Sequence, residues 1–137
     1  MNAKRLLMAA FAAGAWVMIS GMLMAGLFGY REMKSAFDAL GLQIPSGADT
    51  MLLHTAVRLS IGSAVALLYA VFMRTMSAGR ALFGSAAITW VLAILLPSAV
   101  IADWGVLSWP VTAKVVTWGA GELLIAAAIA RLIYRPR

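Results

Sequence analysis

The chain has 137 residues, 64% hydrophobic and 12% charged, with a formal net charge of +6 and no cysteine. Soluble domains carry roughly a quarter charged residues, and a domain this small has too much surface to hide so many apolar side chains. A water-soluble globule is therefore excluded, and the missing thiols exclude disulfides, thiolate catalysis and Cys-ligated metal centres.

In chain order, four apolar runs cover about residues 6–30, 51–73, 81–101 and 110–133. About 20 residues at 1.5 Å each cross a ~30 Å hydrocarbon core, and a lone helix satisfies its own backbone in lipid. The expected fold class is an all-α membrane protein: a four-transmembrane-helix bundle forming one integral domain over 1–137.

The first run follows Lys4 and Arg5. It exceeds the ~7–15 apolar residues of a signal peptide, and no small-x-small cleavage site closes it, so it reads as a retained helix. Gly21, Ala25 and Gly29 recur at four-residue spacing, a pattern that lets helix backbones approach closely.

The stretch "REMKSAFDALGLQIPSGADT" is long for a connection without structure. Met33, Phe37 and Leu40 share one helical face, which predicts a short interfacial helix within 31–50. Gly41 would end it, and Ser46 or Asp49 would cap the second span.

The second run carries His54 and Arg58 one turn apart, and a small-residue stripe of Ala56, Ser60 and Ala64. "RTMSAGR" is a tight hairpin into the third run, where Pro97 predicts a kink or an end to regular helix. The 102–109 connection holds Trp104 and Trp109, and Pro110 suits the first turn of the fourth span after Ser108. With Tyr69 and Tyr134 toward the other side, these aromatics read as interfacial belts.

With four spans both termini share one side. That side holds Lys4, Arg5, Arg74, Arg80, Arg131, Arg135 and Arg137 and no acidic residue. The opposite side sets Arg31 and Lys34 against Glu32, Asp38, Asp49 and Asp103. The positive-inside rule places both termini in the cytoplasm of a bacterial-type inner membrane. Nucleic acid is not an expected partner, because the basic residues sit at segment ends, with no basic stripe interleaved with aromatics.

Only His54, Arg58, Lys114 and Glu122 place ionisable groups inside the spans. His54 and Lys114 lie within about one turn of the membrane surface, where snorkelling costs little. Arg58 lies roughly 10–13 Å and Glu122 roughly 14–18 Å below the start of their spans, where a charge costs about 2.5–3.5 kcal/mol. Mutual pairing is the evident compensation, since the guanidinium fork matches a carboxylate and keeps its proton. His54 stands at i−4 from Arg58, and Lys114, Trp118 and Glu122 form an i, i+4, i+8 stripe. Together the stripes describe one polar track toward the membrane centre. Such a pair also serves as a structural register pin. In a square bundle spans two and four are diagonal, which leaves pairing across a subunit interface as an alternative.

No nucleophile–base arrangement, paired carboxylates within a span or phosphate loop is present, so an enzyme is not expected, and no cofactor or metal is implied. With only one histidine, His54, a multi-histidine metal or bis-histidine haem site within one chain is excluded. The leading expectation is an oligomeric transporter or channel-like module for a small ion or polar solute, with Arg58, Glu122, His54, Lys114 and Trp118 along its path. The alternatives are an accessory or assembly subunit of a larger membrane complex, and a protein that binds a lipid or amphiphile from the outer leaflet.

Overall fold

The computed structural model describes residues 2–134; Arg135 and Arg137, counted in the charge balance above, lie outside them. Helix α1 spans Ala3–Met24, started by Asn2, whose side chain accepts from the Arg5 N–H. Its Ala-, Leu- and Met-rich sequence has high helix propensity. A wider π-type turn over Ala25–Gly29 leads directly into α2, Tyr30–Ala39. The helical path is thus continuous over Ala3–Ala39, 37 residues, or about 55 Å at 1.5 Å per residue. The helix expected within 31–50 is therefore the extension of the first span rather than a separate element. It ends as expected at Gly41, whose φ of 68° is the left-handed conformation of a helix C-terminus.

Helix α3 covers Ala48–Phe72. Neither Ser46 nor Asp49 caps it: Gly47, at φ 146°, occupies the N-cap position with no side-chain bond. Asp49 instead lies in the first turn, at the positive end of the helix dipole. Helices α4, Ala78–Trp90, and α5, Leu96–Asp103, are joined by a second π-type turn over Val91–Leu95. Pro97 supplies no N–H, and its ring crowds the preceding turn. The wide turn just before it absorbs that defect, as π-bulges do inside long helices. Helix α6 spans Trp109–Ile133, with Pro110 in its first turn after Ser108 as expected.

Four helical stretches are long and apolar enough to cross a membrane, and large side chains such as Leu7, Phe11, Phe83, Leu92 and Leu132 stand more than 60% exposed around them. This is a membrane protein whose exterior suits lipid. In the bundle α3 packs on α1 and α4, α6 packs on α1 and α4, and α3 also meets α6 directly. The square is sheared, and α3–α6 is its short diagonal. The core is rich in alanine, including Ala9, Ala13, Ala66, Ala126, Ala127 and Ala130, all fully buried. Small side chains bring backbones close where lipid supplies no hydrophobic drive between helices. Helices α1 and α3 approach closely at Gly14 and Gly62, since a Cβ on Gly62 would overlap the backbone of Gly14 and Ala13.

One expectation about surfaces changes, and one left open is resolved. Tyr69 and Tyr134 are core residues, 1% and 4% exposed, whereas Trp104 and Trp109 are open, at 74% and 61%. The Ala56, Ser60, Ala64 stripe is exposed, lining an outward groove between α3 and α4 rather than a contact within the chain.

Candidate functional site

Arg58 and Glu122 meet within one chain: Arg58 Nη1 donates to Glu122 Oε1 at 2.9 Å. The short α3–α6 diagonal makes this contact possible. Depth along the two spans predicts the pair, and the fold removes the need for a second subunit to complete it.

Three helices engage α6 around Glu122, and of their side chains Arg58 and Ser20 reach the carboxylate itself. The Glu122 side chain is 1% exposed, against 18% for Arg58. From α1, Trp16 Nε1 donates to the Glu122 backbone carbonyl at 3.0 Å. Ser20, also on α1 and 2% exposed, neighbours the carboxylate and accepts from Trp118 Nε1 at 2.9 Å. From the third span, Trp90 Nε1 donates to the Val116 carbonyl at 2.9 Å, one and a half turns earlier on α6. These indoles tie α6 to both neighbours through carbonyl lone pairs that helix bonds leave free.

The pair itself is only half made. A guanidinium and a carboxylate can form two parallel bonds, yet Glu122 Oε2 is buried with no hydrogen-bond partner among the described residues. Arg58 likewise makes no other hydrogen bond among them. Its guanidinium lies flat over Gly21: a Cβ there would stand 2.9 Å from Arg58 Cζ and 3.0 Å from Nε. The side chain needs that space.

Above the pair, between α1 and α3, lies an open cavity of about 230 Å3. Met18, Gly21, Met22 and Ala25 line it from α1, and Thr50, Met51, His54, Thr55 and Arg58 from α3. His54 and Arg58 therefore share one cavity, as their spacing implies, with Arg58 at its deep end.

Lys114 and Trp118 do not join them. Lys114 pairs with Glu32 on α2 and sits 5.9 Å from the centroid of the Phe28 ring. Trp118 packs edge-on against Phe28, with centroids 6.0 Å apart, and bonds Ser20. The expected single track is thus two branches with α1 between them. One is the open His54–Arg58 cavity, and the other is a packed Lys114–Trp118 seam; they converge on Glu122.

Sequence reasoning missed Trp16, Ser20, Gly21 and Trp90. The two tryptophans lie mid-span, away from any interfacial belt, and that placement was the available signal. Ser20 carried no distinguishing pattern, and Gly21 read only as a member of the Gly21, Ala25, Gly29 packing stripe. No cluster of three or more metal-ligating His, Asp or Glu side chains occurs among the described residues.

Comparison with protein families, with characterised proteins and with solved structures finds no match.

Proposed function

We propose that this chain is a membrane transport module that passes a small ion or polar solute, with the Arg58–Glu122 pair as its switch. The supporting observation is the half-made pair at the deep end of an open cavity. A buried carboxylate bonded to Arg58 through one oxygen, with only the Ser20 hydroxyl beside it otherwise, is costly as a static device, and it suits a group that exchanges partners. Taking up a proton would neutralise Glu122 and free Arg58 to face the cavity, which yields two states of different access.

The cavity and Glu32, Asp38, Asp49 and Asp103 lie toward one end of the bundle, and Lys4, Arg5, Arg74, Arg80 and Arg131 toward the other. On the positive-inside rule the cavity opens to the outside of an inner membrane, with both termini cytoplasmic. A chain this small encloses little on its own, so a homo-oligomer is part of the proposal. No step in the reading breaks a covalent bond, so it is not an enzyme.

The test is proton passage in proteoliposomes carrying an internal pH dye. Glu122→Gln is expected to abolish passage while leaving the protein assembled; unchanged passage would refute the reading.

A second reading, an accessory subunit of a larger membrane complex, has one observation behind it. The groove between α3 and α4 exposes Ala56, Ser60 and Ala64, and Thr89, which also lines it, has a buried Oγ1 with no hydrogen-bond partner among the described residues. Small residues and a free hydroxyl are what another helix uses in lipid. Loss of the protein from membranes lacking its native partners would favour this reading.

A further inference from the structure

We infer that the cavity between α1 and α3 takes a small anion with a short apolar body, of the monocarboxylate class, and that its binding is coupled to a proton on Glu122. The inference deepens the transport reading, and rests on it only for passage across the membrane after binding.

The cavity wall carries the argument. Its polar side chains are Thr50, His54, Thr55 and Arg58, and no carboxylate lines it. Each of these can donate a hydrogen bond, and Arg58 brings a permanent positive charge. The mouth lies at the first turns of α3, where the helix dipole favours negative charge. Asp49 belongs to that first turn but not to the cavity wall, so a cation inside the cavity would face Arg58 and no lining carboxylate. Met18, Met22, Met51 and Ala25 fill the remaining wall, and they suit an apolar body. A volume of about 230 Å3 holds about seven or eight groups of water size at ~30 Å3 each. That is a carboxylate with a chain of about four or five further carbons.

Charge explains the proton. Arg58 and Glu122 are balanced as they stand, so an anion arriving alone would leave an uncompensated charge in a low-dielectric site. If Glu122 accepts a proton on its unpartnered Oε2, Arg58 leaves Oε1 and its fork receives the incoming carboxylate. One anion and one proton enter together, and the net charge of the site is unchanged. From α3, Arg58 is the charged group that faces Glu122, and His54 shares the cavity wall with it. Helix α1 contributes the Ser20 hydroxyl beside the carboxylate and the Trp16 indole on the Glu122 backbone carbonyl, neither of them charged, and the Trp90 indole of α4 bonds Val116 instead. The seam residue Lys114 is engaged with Glu32. Gly21 is a positioning residue here, since it seats the guanidinium that meets the anion.

The experiment uses the full chain in phosphatidylcholine nanodiscs. Binding of radiolabelled hexanoate is measured by equilibrium dialysis between pH 6 and 8, with proton uptake recorded in weak buffer. Saturable binding with about one proton per hexanoate is expected, strengthening about tenfold per pH unit on acidification. Hexylamine, with the same body and opposite charge, should not bind. Glu122→Gln, which mimics the protonated acid, should bind hexanoate without proton uptake, and Gly21→Ala should weaken binding about tenfold.

Hexylamine binding as well as hexanoate, or absence of saturable hexanoate binding, would overturn the inference. So would proton uptake that persists in Glu122→Gln, because the proton would then ride on a group other than Glu122. Saturation by palmitate alone would assign the cavity to a membrane lipid acid and overturn the small-solute assignment. Hexanoate that binds but never crosses proteoliposomes would defeat the transport reading and leave this one standing. Proton passage without hexanoate binding would do the reverse.

Discussion

Gly21 on α1 is the seat on which the Arg58 guanidinium of α3 lies, with no room between them for a methyl group. The contact ties a glycine in one span to an arginine well inside another, and it sets the angle at which Arg58 addresses Glu122. What would move on substitution is the end of a flexible side chain, not backbone.

Gly21→Ala should therefore leave the bundle assembled while displacing the guanidinium from Glu122 Oε1. Proton passage should fall severalfold, and the unfolding temperature should fall by less than in the single charge exchanges, because both charges remain and the pair is displaced rather than removed. A large loss of assembled protein would instead mean that α1 and α3 depend on close approach at this level.

Gly62→Ala is expected to behave in the opposite way. Its new methyl would overlap the Gly14 and Ala13 backbone, so α1 and α3 must separate. Overpacking of this kind costs about 1–3 kcal/mol, visible as a lowered unfolding temperature in detergent. Gly121→Ala is the matched control: a Cβ there meets nothing within 4 Å. The added methyl should be neutral or stabilise α6 by up to about 1 kcal/mol.

The Lys114–Glu32 pair should matter little to stability. Lys114 is about half exposed, and pairs of this kind contribute about 0–1 kcal/mol. Lys114→Gln is expected to shift the unfolding temperature by no more than a degree or two. A large shift would show that α2 is anchored to α6 by this one contact.

Much of this architecture is legible in the sequence because lipid sets such plain requirements. Long apolar runs mark the spans, Pro97 marks a defect in the third, and a depth match along two runs brings Arg58 to Glu122. Direction around each helix is harder to read. In water an apolar face points inward, but here lipid and protein interior are both apolar, so hydropathy does not separate them. The Ala56, Ser60, Ala64 stripe accordingly faces outward, although its spacing equals that of Glu122, Ala126 and Ala130, which face in. Tyr69 and Tyr134 read as belt residues by position and are buried by packing. Lys114 and Trp118 share a stripe with Glu122, yet the α1–α2 path claims both of them. The course of α1 between the two polar stripes reflects the short α3–α6 diagonal, which no local pattern encodes.

The most direct test of the central claim is a charge exchange. Arg58→Glu, Glu122→Arg and the double exchange are expressed in membranes and scored for assembled protein, then for proton passage. Breaking a buried pair from either side costs about 3–5 kcal/mol, so each single exchange should leave little assembled protein. The double exchange should restore assembly, because positions 58 and 122 face each other across α3 and α6, where the parent Arg58 Nη1 and Glu122 Oε1 lie 2.9 Å apart. If both single exchanges assemble as well as the parent, the two charges do not depend on each other, and the switch proposed for Arg58 and Glu122 is contradicted.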